Sequence, residues 1–146
     1  MKLIVINGPN LNMLGVREPD IYGHATYDDL VRFIEETARA LGVQVECLQS
    51  NCEGEIVTWI QQSLGRADAI VINPAAYTHT SVAILDALKA VGLPAVEVHL
   101  SDPKQREDFR RVSYAGMACV KTFAGHGFEG YRMAMEFLKN SLISSA

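Results

Sequence analysis

No apolar run in this sequence approaches the roughly 18 residues that would suit a membrane span, and no segment is repetitive or of low complexity. Cysteine is scarce and odd in number. Cys47, Cys52 and Cys119 show no C-x-x-C spacing, which argues against a disulfide framework and for a reducing cytoplasm. Cys47 and Cys119 read as small core hydrophobes. Positive charge is in deficit, with 13 Lys and Arg against 17 Asp and Glu and a formal net charge of -4. Nucleic-acid and membrane-surface binders need a basic field, so neither partner is expected. A small anionic substrate remains open, because it feels only its pocket. His24, His79, His99 and His126 form no i, i+4 pair and have no cysteine at ligand spacing, so no metal site is expected. The run Met1 to Ile6 stops at Asn7-Gly8-Pro9 and is too short for a secretory signal.

What is present is enough apolar material for a core: 49% of 146 residues, the size of one domain. Residues 1–146 are therefore expected to form a single domain. Short apolar runs alternate with helical periods. Strands are expected at Leu3–Ile6, Val43–Leu48, Ala69–Ile72, Ala95–Val98 and Ala118–Phe123. Helices are expected at Tyr27–Leu41, Glu55–Leu64, Ser81–Val91 and Gly127–Leu142, with a short helical turn in Pro103–Phe109. Gly42, Gly65 and Gly92 punctuate them. Strands alternating with helices imply a parallel sheet. The expected fold is α/β, a flavodoxin-like doubly wound sheet of five parallel strands with helices on both faces.

Such sheets bind ligands beyond the carboxyl ends of their strands. Here those ends carry Asn7 to Asn12, Gln49 to Glu55, Asn73 to Ser81, and Glu97-Val98-His99-Leu100-Ser101. Each asparagine or histidine alone reads as an ordinary cap or turn former. Gathered at one edge, they suggest a site. The loop after the first strand has neither G-x-G-x-x-G nor G-x-x-x-x-G-K-[ST], which counts against a dinucleotide or P-loop site. Instead Leu11 to Thr26 is long and carries Arg17 and Tyr22, as a functional lid would.

These blocks resemble the type II 3-dehydroquinate dehydratases. The resemblance rests on Asn7 to Gly15, Arg17-Glu18-Pro19 and Ile21-Tyr22-Gly23 at the start. It continues through Gln49-Ser50-Asn51, Asn73-Pro74, Tyr77 to Ser81, Glu97 to Ser101, Arg106-Glu107, Phe109-Arg110 and Gly130-Tyr131. Cys52 stands where many members carry histidine, and Met117 to Phe128 follows the pattern loosely.

The resemblance implies removal of water from 3-dehydroquinate to give 3-dehydroshikimate, by anti elimination through an enol or enolate, with no cofactor. It implies Tyr22 as the base. A free phenol ionises near pH 10, so work near neutrality asks for about 4 kcal/mol of preference for phenolate. A guanidinium, from Arg17 or Arg110, can supply that preference. Asn10 resembles the residue that holds the enolate through a water, and His99 the acid that protonates the departing hydroxyl. Glu97, two residues earlier on the same strand face, can orient and charge that imidazole. Asn73, with the backbone amides of Leu100 and Ser101, resembles the carboxylate cradle. His79, Arg110 and the Ser101 hydroxyl match groups that bind ring hydroxyls. Asp86 matches a carboxylate that reaches across a subunit boundary, so the resemblance implies a homo-oligomer, a dodecamer of four trimers. The five lysines, Lys2, Lys89, Lys104, Lys121 and Lys139, lie at ends or in charged settings, which fits a route without a Schiff base. The competing reading is a flavodoxin-like small-molecule or nucleotide-binding module without catalysis.

Overall fold

Strands buried on both faces must be apolar at nearly every position, and Leu3–Ile6 and Ala69–Ile72 are. In the computed structural model they lie inside a five-stranded parallel sheet whose spatial order, with strands counted along the chain, is second, first, third, fourth, fifth. The model describes residues 1–16 and 18–145, with the backbone alone at Ile21, Tyr22 and Ser145. The strands are β1 (Lys2–Asn7), β2 (Gln44–Gln49), β3 (Ala69–Asn73), β4 (Ala95–His99) and β5 (Lys121–Ala124). The helices are α1 (Pro19–Tyr22), α2 (Tyr27–Leu41), α3 (Glu53–Gln62), α4 (Val82–Val91) and α5 (Glu129–Ser145).

The period of two sorts each strand between two cores. Leu3, Val5, Ala69, Val71, Val96 and Val98 face α2 and α5, where Leu30, Ile34, Tyr131, Met135 and Leu138 meet them. Ile4, Ile6, Ile70, Ile72 and Ala95 face α3 and α4, against Ile56, Ile60, Ile84 and Leu88. Each fully buried Leu or Ile contributes about 1.5–3 kcal/mol. Truncating one, such as Ile70→Ala, costs about 2–5 kcal/mol because a cavity remains. Local signals set the helix ends. Thr26 and Asp29 form a reciprocal capping box at the start of α2, and Ser81 Oγ accepts the Ile84 N–H at the start of α4.

The expected strands and helices all form, with shifted bounds. Strand β2 runs one residue later than expected. Helix α3 begins at Glu53, where Glu53 and Glu55 place negative charge on the first turn, and ends at Gln62 rather than Leu64. Helix α5 runs from Glu129 to Ser145. The segment 103–109 holds one 3-10 turn, Pro103–Gln105, and the start of a second, Asp108–Arg111. The long loop after β1 is partly ordered into a 3-10 turn, Leu11–Met13, and α1. The largest correction is β5, which starts at Lys121, not Ala118. Residues Ala115–Ala118 form a 3-10 turn, and Ala118 and Cys119 pack on the α3/α4 core from outside the sheet. An apolar run has the same look in either geometry.

Candidate active site

The strand order reverses between β1 and β3, and this switch point is where a parallel sheet opens a crevice. Asn7 and Asn73 stand opposite each other at the ends of those strands. Beyond them the two loops nearly touch. Gly8 donates to the Asn73 carbonyl at 2.8 Å, and a Cβ on Gly8 would lie 2.5 Å from the Pro74 carbonyl oxygen. Only glycine fits there. The β2 loop joins them: Gln49 Nε2 donates to the Gly8 carbonyl at 3.2 Å, and Tyr77 Oη donates to the Asn51 carbonyl at 2.7 Å. Asn51 Oδ1 takes the backbone N–H of Asn10 at 3.0 Å. That contact holds Asn10 in the left-handed region, at φ 70°, which asparagine tolerates better than most residues.

A pocket opens beside this knot. The structure brings Asn10, Asn73, His79, His99, Leu100, Ser101 and Arg110 together along its wall. Leu11, Leu14 and Pro103 add apolar surface. Arg106, to which the sequence reading gave no role, also lines it. Its Nη2 lies 3.3 Å from Glu18 Oε2, at the N-terminal end of α1, so the lid segment touches the far wall. Arg17 and the side chain of Tyr22 lie outside the described residues; the Tyr22 backbone ends α1. Asp86 is exposed in mid-α4 and is not at its own chain's pocket.

Glu97 is not on this wall but lines an adjoining cavity, which shares His79, His99, Pro103 and Arg110 with the pocket. His99 and Glu97 share a face of β4, and His99 Nε2 lies 2.8 Å from Glu97 Oε2. Glu97 is 1% exposed, so its charge needs partners. Ser113 Oγ donates to Oε2 at 2.5 Å, and Thr122 Oγ1 donates to Oε1 at 2.8 Å. Gly116 N–H donates to Ser113 Oγ at 2.9 Å. A Cβ on Gly116 would lie 2.7 Å from Glu97 Oε1, so this turn can close on the carboxylate only as glycine. Burial pushes the Glu97 carboxyl up. The hydrogen bond and charge of His99, then the Ser113 and Thr122 hydroxyls, outweigh it, and the net direction is down. Glu97 is therefore an ionised acceptor, His99 Nε2 carries a hydrogen, and Nδ1 is left for proton exchange.

His79 is held differently. Its Nδ1 lies 2.7 Å from the Val112 carbonyl, which can only accept, so Nδ1 carries the hydrogen and Nε2 is left over. Arg110 Nε pairs with Glu107 Oε2 at 2.5 Å, and its guanidinium lies 5.2 Å from the centre of the Phe109 ring. Such a brace fixes the planar fork. Lys104 lines the adjoining cavity that shares His79, His99, Pro103 and Arg110 with this pocket, and among the described residues no group of three or more His, Cys, Asp or Glu side chains could hold a metal. No helix among them is long and apolar enough to cross a membrane.

Sequence reading missed the supports. Ser113 and Thr122 bond Glu97, and Tyr131 bonds both Asn7 and Asn73. Thr122 could have been found, because it pairs in register with Glu97 on the neighbouring strand. Ser113 lies on an irregular segment and carries no comparable signal.

Known proteins with this geometry are close. The profile of the family described as Dehydroquinase class II matches residues 1–139. The chain is 51% identical over 142 residues to the 3-dehydroquinate dehydratase of Clostridium acetobutylicum, across 97% of this chain and 99% of that protein. It is 55% identical over 134 residues to the 3-dehydroquinate dehydratase of Phenylobacterium zucineum, across 92% of each. The crystal structure of a type II dehydroquinase from Butyrivibrio crossotus superposes with a TM-score of 0.94 at 48% identity, over 95% of this chain and 97% of that one. With sequence and overall fold agreeing over nearly its whole length, the chain belongs to the class II dehydroquinase family.

Proposed function

We propose that this chain is a hydro-lyase that converts 3-dehydroquinate to 3-dehydroshikimate, a step in the shikimate route to aromatic amino acids. The observation that carries the reading is a histidine backed by a buried, ionised glutamate, His99 on Glu97, at the edge of a pocket that also holds Asn10 and Asn73.

The reaction has three tasks. A base removes a proton beside the ketone, a donor holds the enolate oxygen, and an acid protonates the departing hydroxyl. We assign the base to Tyr22, with Arg17 favouring its phenolate. Asn10 is assigned to the enolate through a water: its backbone is locked before charge develops, which is the condition for electrostatic stabilisation without reorganisation. His99 is the acid. The negative charge of Glu97 balances the positive imidazole that the acid role requires. Asn73 and the backbone amides of Leu100 and Ser101 take the substrate carboxylate, adding no titrating charge. His79, Arg110 and the Ser101 hydroxyl take ring hydroxyls.

The whole chain acts as one catalytic domain, needs no cofactor and works in the cytoplasm. The working assembly is a trimer, four of which form a dodecamer, with Asp86 reaching a neighbour's pocket. Its exposed position in mid-α4 supports that role, and so do the exposed apolar side chains Phe109, Val112, Met117 and Val120. Sedimentation reads the assembly directly. A flavin or nucleotide carrier has no comparable support, since the first loop lacks a glycine phosphate cradle.

The test is direct. 3-Dehydroquinate added to the purified protein alone should give the rising ultraviolet absorbance of a conjugated enone, and borohydride in the presence of substrate should leave activity intact. No absorbance change with folded protein would remove the assignment; capture of substrate on a lysine would remove the enolate route.

A further inference from the structure

A fold seldom buries a tyrosine hydroxyl without partners, because a desolvated hydroxyl left unpaired is costly. Tyr131, on α5, is 0% exposed, as is Asn7, and Asn73 is 3% exposed. Its hydroxyl donates to Asn7 Oδ1 at 2.7 Å and accepts from Asn73 Nδ2 at 3.0 Å. Asn73 Oδ1 in turn accepts the Ala75 N–H at 3.1 Å. Asn7 Nδ2 donates to Tyr27 Oη at 3.4 Å, the loosest link. Every donor points the same way, from Ala75 through Asn73, Tyr131 and Asn7 toward Tyr27. Chains of this kind polarise their members cooperatively.

This order fixes which way the Asn73 amide faces. A backbone N–H can only donate, so the atom opposite Ala75 is the oxygen, and the nitrogen must face Tyr131. Burial pushes the Tyr131 phenol far above its ordinary ionisation range, so it keeps its proton at neutral pH and always has one to give Asn7. With that proton committed to Asn7, the hydroxyl's lone pairs are presented to Asn73. One N–H of Asn73 is then engaged in the core, and the other is left for the pocket that Asn73 lines. Ala75, at φ 53°, sits in the left-handed region that non-glycine residues seldom occupy. A strained residue persists where its surroundings over-determine it, and here its N–H is one of the two anchors of the Asn73 amide.

We infer that Tyr131 is a positioning residue for substrate binding: its hydroxyl, oriented by Asn7, locks the Asn73 amide so that one N–H is presented to the anionic group of the substrate. The inference rests on Asn73 binding the substrate carboxylate, as proposed above. Tyr131 touches no reacting atom. Its effect is on binding common to the ground and transition states, which moves KM and leaves kcat in place.

The experiment is a double-mutant cycle on the full-length enzyme with 3-dehydroquinate, combining Tyr131→Phe and Asn73→Ala. Circular dichroism first verifies the fold of each variant. Tyr131→Phe should raise KM roughly five- to tenfold, the loss of about one hydrogen bond's worth of fixation, with kcat within about twofold. Asn73→Ala should raise KM at least as much. In the double variant the Tyr131→Phe effect should vanish, because there is no amide left to position. An unchanged KM in Tyr131→Phe beside a raised one in Asn73→Ala overturns the inference and spares the site assignment. Additive effects also overturn it, since Tyr131 would then act by another route. An unchanged KM in Asn73→Ala removes the assignment of Asn73, and the inference with it. Should the Phe variant not fold, Asn7→Ala keeps Tyr131 and Asn73 but removes the acceptor that orients the hydroxyl. It must raise KM in the same direction, and no change there is equally fatal.

Discussion

Two histidines line the same pocket, and their surroundings differ in kind. His99 rests on a buried carboxylate that is itself held by two hydroxyls. His79 rests on one backbone carbonyl, that of Val112. Both partners fix a tautomer. Only the carboxylate can also balance a positive charge on the ring, because a carbonyl has dipole but no net charge to offer. The difference separates a histidine equipped to hold and give a proton from one equipped to make an oriented hydrogen bond. Chemistry is therefore expected to fail at one and binding at the other.

The sharpest way to break this comparison is to remove each ring in turn. His99→Ala should lower kcat by about 10²–10⁴, the usual range for a lost general acid, with a smaller change in KM. His79→Ala should raise KM by roughly tenfold, the worth of an oriented hydrogen bond or two, and change kcat less. Steady-state rates followed by enone absorbance give both numbers. Equal losses of kcat in the two variants would erase the distinction.

The next effect in size tests the carboxylate. Glu97→Gln keeps shape and an acceptor oxygen but loses the charge. A hydrogen bond to a charged group is worth about 1.5–3 kcal/mol, so kcat should fall about ten- to a hundredfold. Binding of an unreactive substrate analogue, read by calorimetry, should hardly change.

The same carboxylate makes a stability prediction. Its ionisation in the folded chain is shifted down from the ordinary value of 4.5. Between those two values the unfolded chain binds more protons, so stability rises with pH there. The contribution is complete above the ordinary value and is lost as pH falls through the depressed one. Thermal melts from neutral pH to below 4.5 should thus show Tm dropping more steeply in the parent than in Glu97→Gln. Parallel curves would mean that Glu97 is not the group being protonated. Asp29 and Glu107 are shifted in the same direction, and taking the difference between the two proteins cancels them.

What sequence alone could reach follows from the range of each interaction. The central strands were legible because β1 and β3 are apolar on both faces, and helix α2 because its apolar residues recur at helical spacing and Gly42 marks its end. The residues along the pocket wall were legible because polar side chains at strand ends stand out against apolar runs. The bounds of β5 were not, since Ala118 and Cys119, at the end of a 3-10 turn, are partly buried against the core without belonging to a strand. Tyr131 was legible as one apolar face of α5, but not as the partner of two asparagines, 58 and 124 positions away. Ser113 was invisible for the same reason: 16 residues separate it from Glu97 along an irregular path. Hydrogen-bond partners distant in sequence leave no period to read.

The smallest effect concerns the hydroxyls under Glu97, and it refines the comparison from beneath. Thr122→Val keeps the β-branched shape that suits a strand and removes only the donor to Oε1. Ser113 and His99 still bond Oε2, so the carboxylate stays ionised and His99 stays oriented. The loss should be modest, about threefold in kcat at neutral pH, in line with a net hydrogen bond of about 0.5–1.5 kcal/mol. Ser113→Ala should cost more, because the Ser113 hydroxyl also accepts the Gly116 N–H and so ties the turn to the carboxylate. The ratio of these two losses reads which oxygen of Glu97 matters to His99. If Thr122→Val proved the more damaging, the turn at Gly116 would be packing alone, and β5 would be the element that aims the acid.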